Sequence, residues 1–105
     1  MKKRSVSAKK RPAGSDKFSK VSNFLKIVSD ENRMKILLAL KGDSLNVTQI
    51  HTKLRIPQNL TSHHLSKLKS VGLLSEKHEG TFRHYSVNTK NLRQLSQMFK
   101  DLFNI

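Results

Sequence analysis

The segment from Ile56 to Gly72, IPQNLTSHHLSKLKSVG, constrains the fold most, because helical projection sorts its side chains onto two chemically opposed faces. At about 100° per residue, Gln58, Asn59, Ser62, His63, Ser66 and Lys69 fall within an arc of roughly 140° that holds no apolar side chain. Leu60, Thr61, Leu65, Leu68 and Val71 fall opposite, with His64 among them, and form a stripe that needs a surface to bury against. The pattern also fits an ordinary amphipathic surface helix, so the neighbouring segments decide its use.

Upstream, Asn46 followed by Gln49 resembles a capping box and opens a short helix whose Val47, Ile50 and Leu54 form its buried side. The connection Arg55, Ile56, Pro57 is short, and Pro57 suits a first helical turn, where its missing N–H is not needed. Two helices in this relation are a helix-turn-helix, with the opening segment as its second helix. Downstream, Gly72 reads as a left-handed helix stop with Leu73 as its apolar contact. The segments LLSEKH and TFRHYSV then flank Glu79 and Gly80 and predict a hairpin. Arg83 interrupts the alternation at a position where Tyr85 and Val87 inside would ask for an apolar residue. Lys77, His78, Arg83 and His84 lie near the hairpin tip, as solvated strand residues or as groove and phosphate contacts.

Two further stripes frame this centre. Phe18, Val21, Leu25 and Val28 recur at spacings of three, four and three over Asp16 to Ser29, and Leu92, Leu95, Phe99 and Leu102 repeat the spacing over Lys90 to Ile105. Matching stripes in so small a domain point to intermolecular packing between first and last helices, with an intramolecular core as the alternative. Between them, a helix capped at Ser29 and Asp30 runs through Met34, Ile36, Leu37, Leu38 and Leu40 to Gly42. Its nearly continuous apolar girth makes it the expected centre of the bundle.

The chain of 105 residues has room for one small domain and a tail, so a large binding surface calls for a second copy. Residues 1–15 carry six basic residues, no acid and almost no large apolar group; they read as a disordered basic arm, solubilising or DNA-tracking, ahead of a folded domain at 16–105. Of the net charge of +14, +8 remains once those six are set aside. So basic a chain expects a polyanionic partner, and double-stranded DNA suits it better than a membrane, since no apolar run approaches the roughly 20 residues of a spanning helix. There is no cysteine, which removes disulfides, thiolate metal sites and thiol redox sensing. The start MKKR is not followed by an apolar run, so a cytoplasmic, nucleoid-associated protein is expected rather than a secreted one. No paired carboxylates, nucleophile motif or phosphate loop appears, and adjacent Ser62 and His63 diverge by about 100° on a helix, so no enzyme is expected.

Taken together, FLKIVSDENRMKILLAL, PQNLTSHHLSKLKSVGLL and EGTFRHYSV, spanning Phe18 to Val87, resemble the ArsR/SmtB family of winged helix-turn-helix repressors. The resemblance implies a mainly α fold of about five helices with a two-stranded hairpin wing, dimeric through the first and last helices: Phe18, Val21, Leu25, Val28, Leu92, Leu95, Phe99 and Leu102. It turns Gln58, Asn59, Ser62 and His63 toward DNA, in agreement with the polar arc. Asn and Gln pair bidentately with adenine, while Ser and His serve bases or phosphates. Ser66 continues the arc, Lys67 and Lys69 suit phosphates, and Lys77, His78 and Arg83 belong to the wing. His64, in the family's SxHL pattern, is expected to be a hydrogen-bonded structural histidine. Leu60 stands where the family favours a small polar residue and Thr61 where it favours an apolar one, which implies a slightly rotated helix.

The family's metal sites are not carried over. Asn46, Val47 and Thr48 replace its cysteine run, and the last helix has no histidine and Asp101 as its only acid; His78 and His84 meeting across the hairpin are what remains for a metal. No cofactor or metal is expected, and no effector is named. The implied function is that of a homodimeric, sequence-specific transcriptional repressor on an inverted repeat; the alternative is a nucleoid-type architectural protein with little sequence preference.

Overall fold

The computed structural model describes residues 15–105. Of the basic arm, all but Ser15 lies outside the described residues; Ser15 opens α1, Ser15–Val28. Asp16 in its first turn and Lys26 in its last match the helix dipole.

Asp30 caps α2 (Glu31–Ala39) by accepting from the Arg33 backbone N–H at 3.1 Å, as its place after Ser29 predicts. The helix packs against α1, α3 (Val47–Leu54) and α4 (Gln58–Ser70) and buries Ile36, with Leu40 buried just beyond its end. It is central on that side alone, because Met34 and Leu38 remain exposed.

The capping box of α3 forms in full: the Gln49 N–H donates to Asn46 Oδ1 at 2.8 Å, and the Asn46 N–H donates to Gln49 Oε1 at 2.9 Å. Arg55 then turns the chain in the left-handed region, with φ 57°, and Ile56 drops into the protein. Thus α4 starts after Pro57 and crosses the domain beside α3. Gly72, at φ 74°, ends that crossing.

The hairpin comprises β2 (Leu74–Glu79) and β3 (Phe82–Val87), paired antiparallel with Glu76 opposite Tyr85 and His78 opposite Arg83. A third strand was not expected: β1, Leu45–Asn46, pairs with Tyr85 and His84 and makes the sheet order β1-β3-β2. Two residues are too few to show a strand periodicity, and Asn46 is also the cap of α3. Finally, α5 (Thr89–Leu102) returns along α1, capped by Asn88, which accepts from the Asn91 N–H.

Phe24, Ile36, Leu40, Ile50, Leu65, Leu68, Leu73, Leu74 and Leu95 form one core fed by all five helices and the root of the wing. Each such side chain fully removed from water contributes on the order of 1.5–3 kcal/mol. The two terminal stripes divide over this core. Val21 and Leu95 are buried inside the protomer, against the expectation that they face a second copy, because α1 and α5 pack on each other first. Val28 and Leu92 are half-buried against the same core, whereas Phe18, Leu25, Phe99 and Leu102 stay exposed.

Candidate nucleic-acid interface

The burial of α4 follows its two faces. Thr61, His64, Leu65 and Leu68 are buried, and Gln58, Asn59, Ser62, His63, Ser66, Lys67 and Lys69 are exposed in one row. Leu60 corrects the expected stripe: it is 37% exposed, beside Asn59 at the start of the helix. Thr61 takes the core position instead, fully buried, with its hydroxyl donating to the Pro57 carbonyl at 3.0 Å. That bond satisfies the one polar group that would oppose burial, so a threonine can hold an inner position of the helix.

Orientation of the row is held from beneath by His64. Arg33 Nε donates to His64 Nδ1 at 3.1 Å, and Arg33 Nη1 donates to the Ile27 carbonyl at 3.3 Å. A ring whose Nδ1 accepts carries its proton on Nε2, which faces Asp30 Oδ1 at 4.0 Å. Burial pushes the His64 pKa below the usual histidine value, and the Asp30 carboxylate only partly opposes this. The Arg33 backbone N–H holds the Asp30 carboxyl below the usual aspartate value. The imidazole is therefore neutral and structural, tying the start of α2 to the inner face of α4.

The wing carries Lys77, His78 and Arg83 exposed, as expected. What the sequence reading missed is the acid among them. Glu76 forms close ion pairs with Lys69 Nζ of α4 and with Arg83 Nε at 3.3 Å, and His78 Nε2 lies 3.2 Å from the same carboxylate. The Lys69 ammonium hydrogen bond is the main reason its carboxyl lies below the usual glutamate value. Two-residue periodicity contains the signal: Glu76 and His78 share a face, and the Gly80 turn places Arg83 opposite His78. Arg83 shares the face of Tyr85 and Val87 as the alternation demanded, but it sits beyond the core, where an acid replaces an apolar neighbour.

His84 pairs instead with Glu79 at 3.3 Å and lies opposite Lys77, so His78 and His84 do not meet. Among the described residues, no group of three His, Cys, Asp or Glu side chains gathers to hold a metal ion.

Between wing and helices lies an open cleft of about 260 Å³, lined by Asn46, Thr48, Ser62, Phe82, Arg83 and Tyr85. It sets the start of α3, the exposed row of α4 and the wing around one surface, rich in hydrogen-bonding groups and bordered by cations. Among the described residues, no helix is long and apolar enough to cross a membrane.

A family model described as "Bacterial regulatory protein, arsR family" matches residues 30–76. The cadmium resistance transcriptional regulatory protein CadC of Listeria innocua is 39% identical over 85 residues, covering 77% of this chain and 71% of that protein. The transcriptional repressor SdpR of Bacillus subtilis is 37% identical over 73 residues, covering 70% and 81%. Among solved structures, a homodimeric winged helix-turn-helix DNA-binding domain from Mycobacterium bovis matches with a TM-score of 0.72 at 24% identity, over 90% of this chain and 91% of that one. With a winged helix-turn-helix fold and relatives of this closeness, the chain belongs to the arsR family of bacterial regulatory proteins, DNA-binding transcriptional regulators that are not enzymes.

Proposed function

We propose that the chain acts in the cytoplasm as a homodimeric repressor, seating its two α4 helices in successive major grooves on one side of a duplex. The grooves are about 34 Å apart, so the operator is an imperfect inverted repeat whose occupation blocks a promoter. One observation carries this reading: the exposed row from Gln58 to Lys69 combines amide, hydroxyl and imidazole groups at its start with lysines at its end, beside a basic wing. Gln58, Asn59, Ser62 and His63 read bases, Ser66 supports them, and Lys67, Lys69, Lys77, His78 and Arg83 hold phosphates.

The exposed Phe18, Leu25, Phe99 and Leu102 support dimerisation through α1 and α5, with Val28 and Leu92 at the border of that face. SdpR is a repressor by its name, and the M. bovis domain is homodimeric. CadC is named for cadmium resistance, but this chain has no cysteine to offer as thiolate. Metal release through thiolates therefore has no part in the proposal.

Selection of bound duplexes from a random pool, followed by footprinting, tests it. The expected result is an inverted repeat protected over two half-sites, with preference at the read positions lost when Gln58, Asn59 and His63 are substituted. Uniform coating of any sequence would overturn it in favour of an architectural role, to which the family relationship lends no support.

A further inference from the structure

The α4–wing junction carries one largely buried acid under two outward cations and an outward imidazole. Glu76 is 12% exposed, whereas the side chains of Lys69, His78 and Arg83 are 47%, 63% and 60% exposed. The three belong to three elements, α4, β2 and β3, and all of them are among the groups assigned to DNA. α4 has no acid of its own. The second acid of the hairpin strands, Glu79, pairs with His84. Lys69 to Glu76 is the ion pair that joins α4 to the wing.

Geometry leaves each cation able to serve a phosphate at the same time. Arg83 meets Glu76 through Nε, which leaves both Nη nitrogens for a second, bidentate acceptor. Lys69 gives one of three N–H donors. Ordering two long cationic side chains costs rotamer entropy, and a carboxylate that orders them before DNA arrives removes that cost from the binding step. The same carboxylate lowers the local positive charge by one, which weakens attraction to phosphates of any sequence.

We propose that Glu76 is a specificity-positioning residue: it fixes the phosphate-binding heads of Lys69 and Arg83 in register with the reading helix and tempers sequence-independent binding. The proposal rests on the reading of α4 and the wing as the DNA surface. Glu76→Gln keeps the shape and removes the charge. It is expected to bind a random-sequence duplex about three- to tenfold more tightly at low salt, with the slope of log affinity against log salt steeper by roughly one. Affinity for the pool-selected duplex rises less, so the selected-to-random ratio falls several-fold.

Glu76→Asp, which keeps the charge, is expected to restore the wild-type slope and part of the ratio. A Glu76→Gln protein with the wild-type slope and ratio would overturn the proposal. So would one that binds both duplexes more weakly with a shallower slope, since Glu76 would then merely support the fold. If the wild type itself shows no preference among duplexes, the reading of α4 fails instead, while the slope on random duplex still decides the effect of Glu76.

Discussion

Arg33 and His64, 31 residues apart, meet through a single Nε to Nδ1 hydrogen bond of 3.1 Å that fixes the underside of α4. Because burial holds the His64 pKa below its ordinary value, the unfolded chain takes up this proton at a higher pH than the folded one. The stabilisation is complete above the unfolded histidine value and is lost as pH falls through the folded one. Urea midpoints should therefore fall as pH drops below the ordinary histidine value, and His64→Gln should flatten that part of the profile. His64→Ala should cost about 1–3 kcal/mol at neutral pH, through the cavity and the unpaired Arg33 Nε.

At the other end of α4, Gly72 and Asn91 interlock. Asn91 Nδ2 donates to the carbonyls of Val71 at 3.1 Å and Gly72 at 2.8 Å, and a Cβ at Gly72 would lie 2.5 Å from that nitrogen. Gly72→Ala should cost roughly 1–2 kcal/mol for the left-handed backbone alone, and more for the displaced amide. Asn91→Ala should cost about 1–3 kcal/mol. In chemical denaturation the double variant should lose less than the two single losses combined, since each removes the contact the other damages.

Leu60 and Thr61 make opposite predictions. Thr61→Val should change stability by less than about 1 kcal/mol, because the Pro57 carbonyl also accepts the Thr61 N–H at 2.9 Å and stays satisfied. DNA binding should be unchanged. Leu60→Ser should leave stability within about 0.5 kcal/mol and relax preference at one base pair, where an exposed leucine can pack on a thymine methyl. Repeating the duplex selection with each variant checks both.

The terminal helices separate folding from assembly. Phe99→Glu and Leu102→Glu should give folded monomers in sedimentation, with weaker binding to the full inverted repeat, because their side chains are exposed in the protomer. Leu95→Ala should instead lower stability by about 2–5 kcal/mol.

Local chemistry was the legible part. The Asn46 and Gln49 box, the Asp30 cap and the Gly72 stop each lie within four residues of the group they satisfy, so spacing alone reveals them. The exposed row of α4 was equally readable, because polarity and angle agreed at every position from Ser62 to Lys69 except the buried His64. Leu60 and Thr61 sit at the edge of the stripe, where hydropathy favours burying leucine; a hydroxyl bond to a carbonyl four residues back reverses the order. Arg33 on His64 and Lys69 on Glu76 join separate elements, and neither has a periodicity to betray it. The α1 and α5 stripes were read as one surface, yet each is wide enough to meet two neighbours, which is why Val21 parts from Phe18 and Leu95 from Phe99.

The two residues of β1 give the wing a mechanical character that a plain hairpin lacks. Tyr85 and His84 are flanked by strands on both sides, while Phe82 and Arg83 have β2 alone beside them. Because Asn46 is both strand and helix cap, the root is riveted to the first turn of α3. The hairpin is thus a cantilever, clamped at Tyr85 and free beyond Arg83. On the proposed DNA surface, such a wing would follow variations in groove width by bending at its tip while α3 and α4 keep their angle.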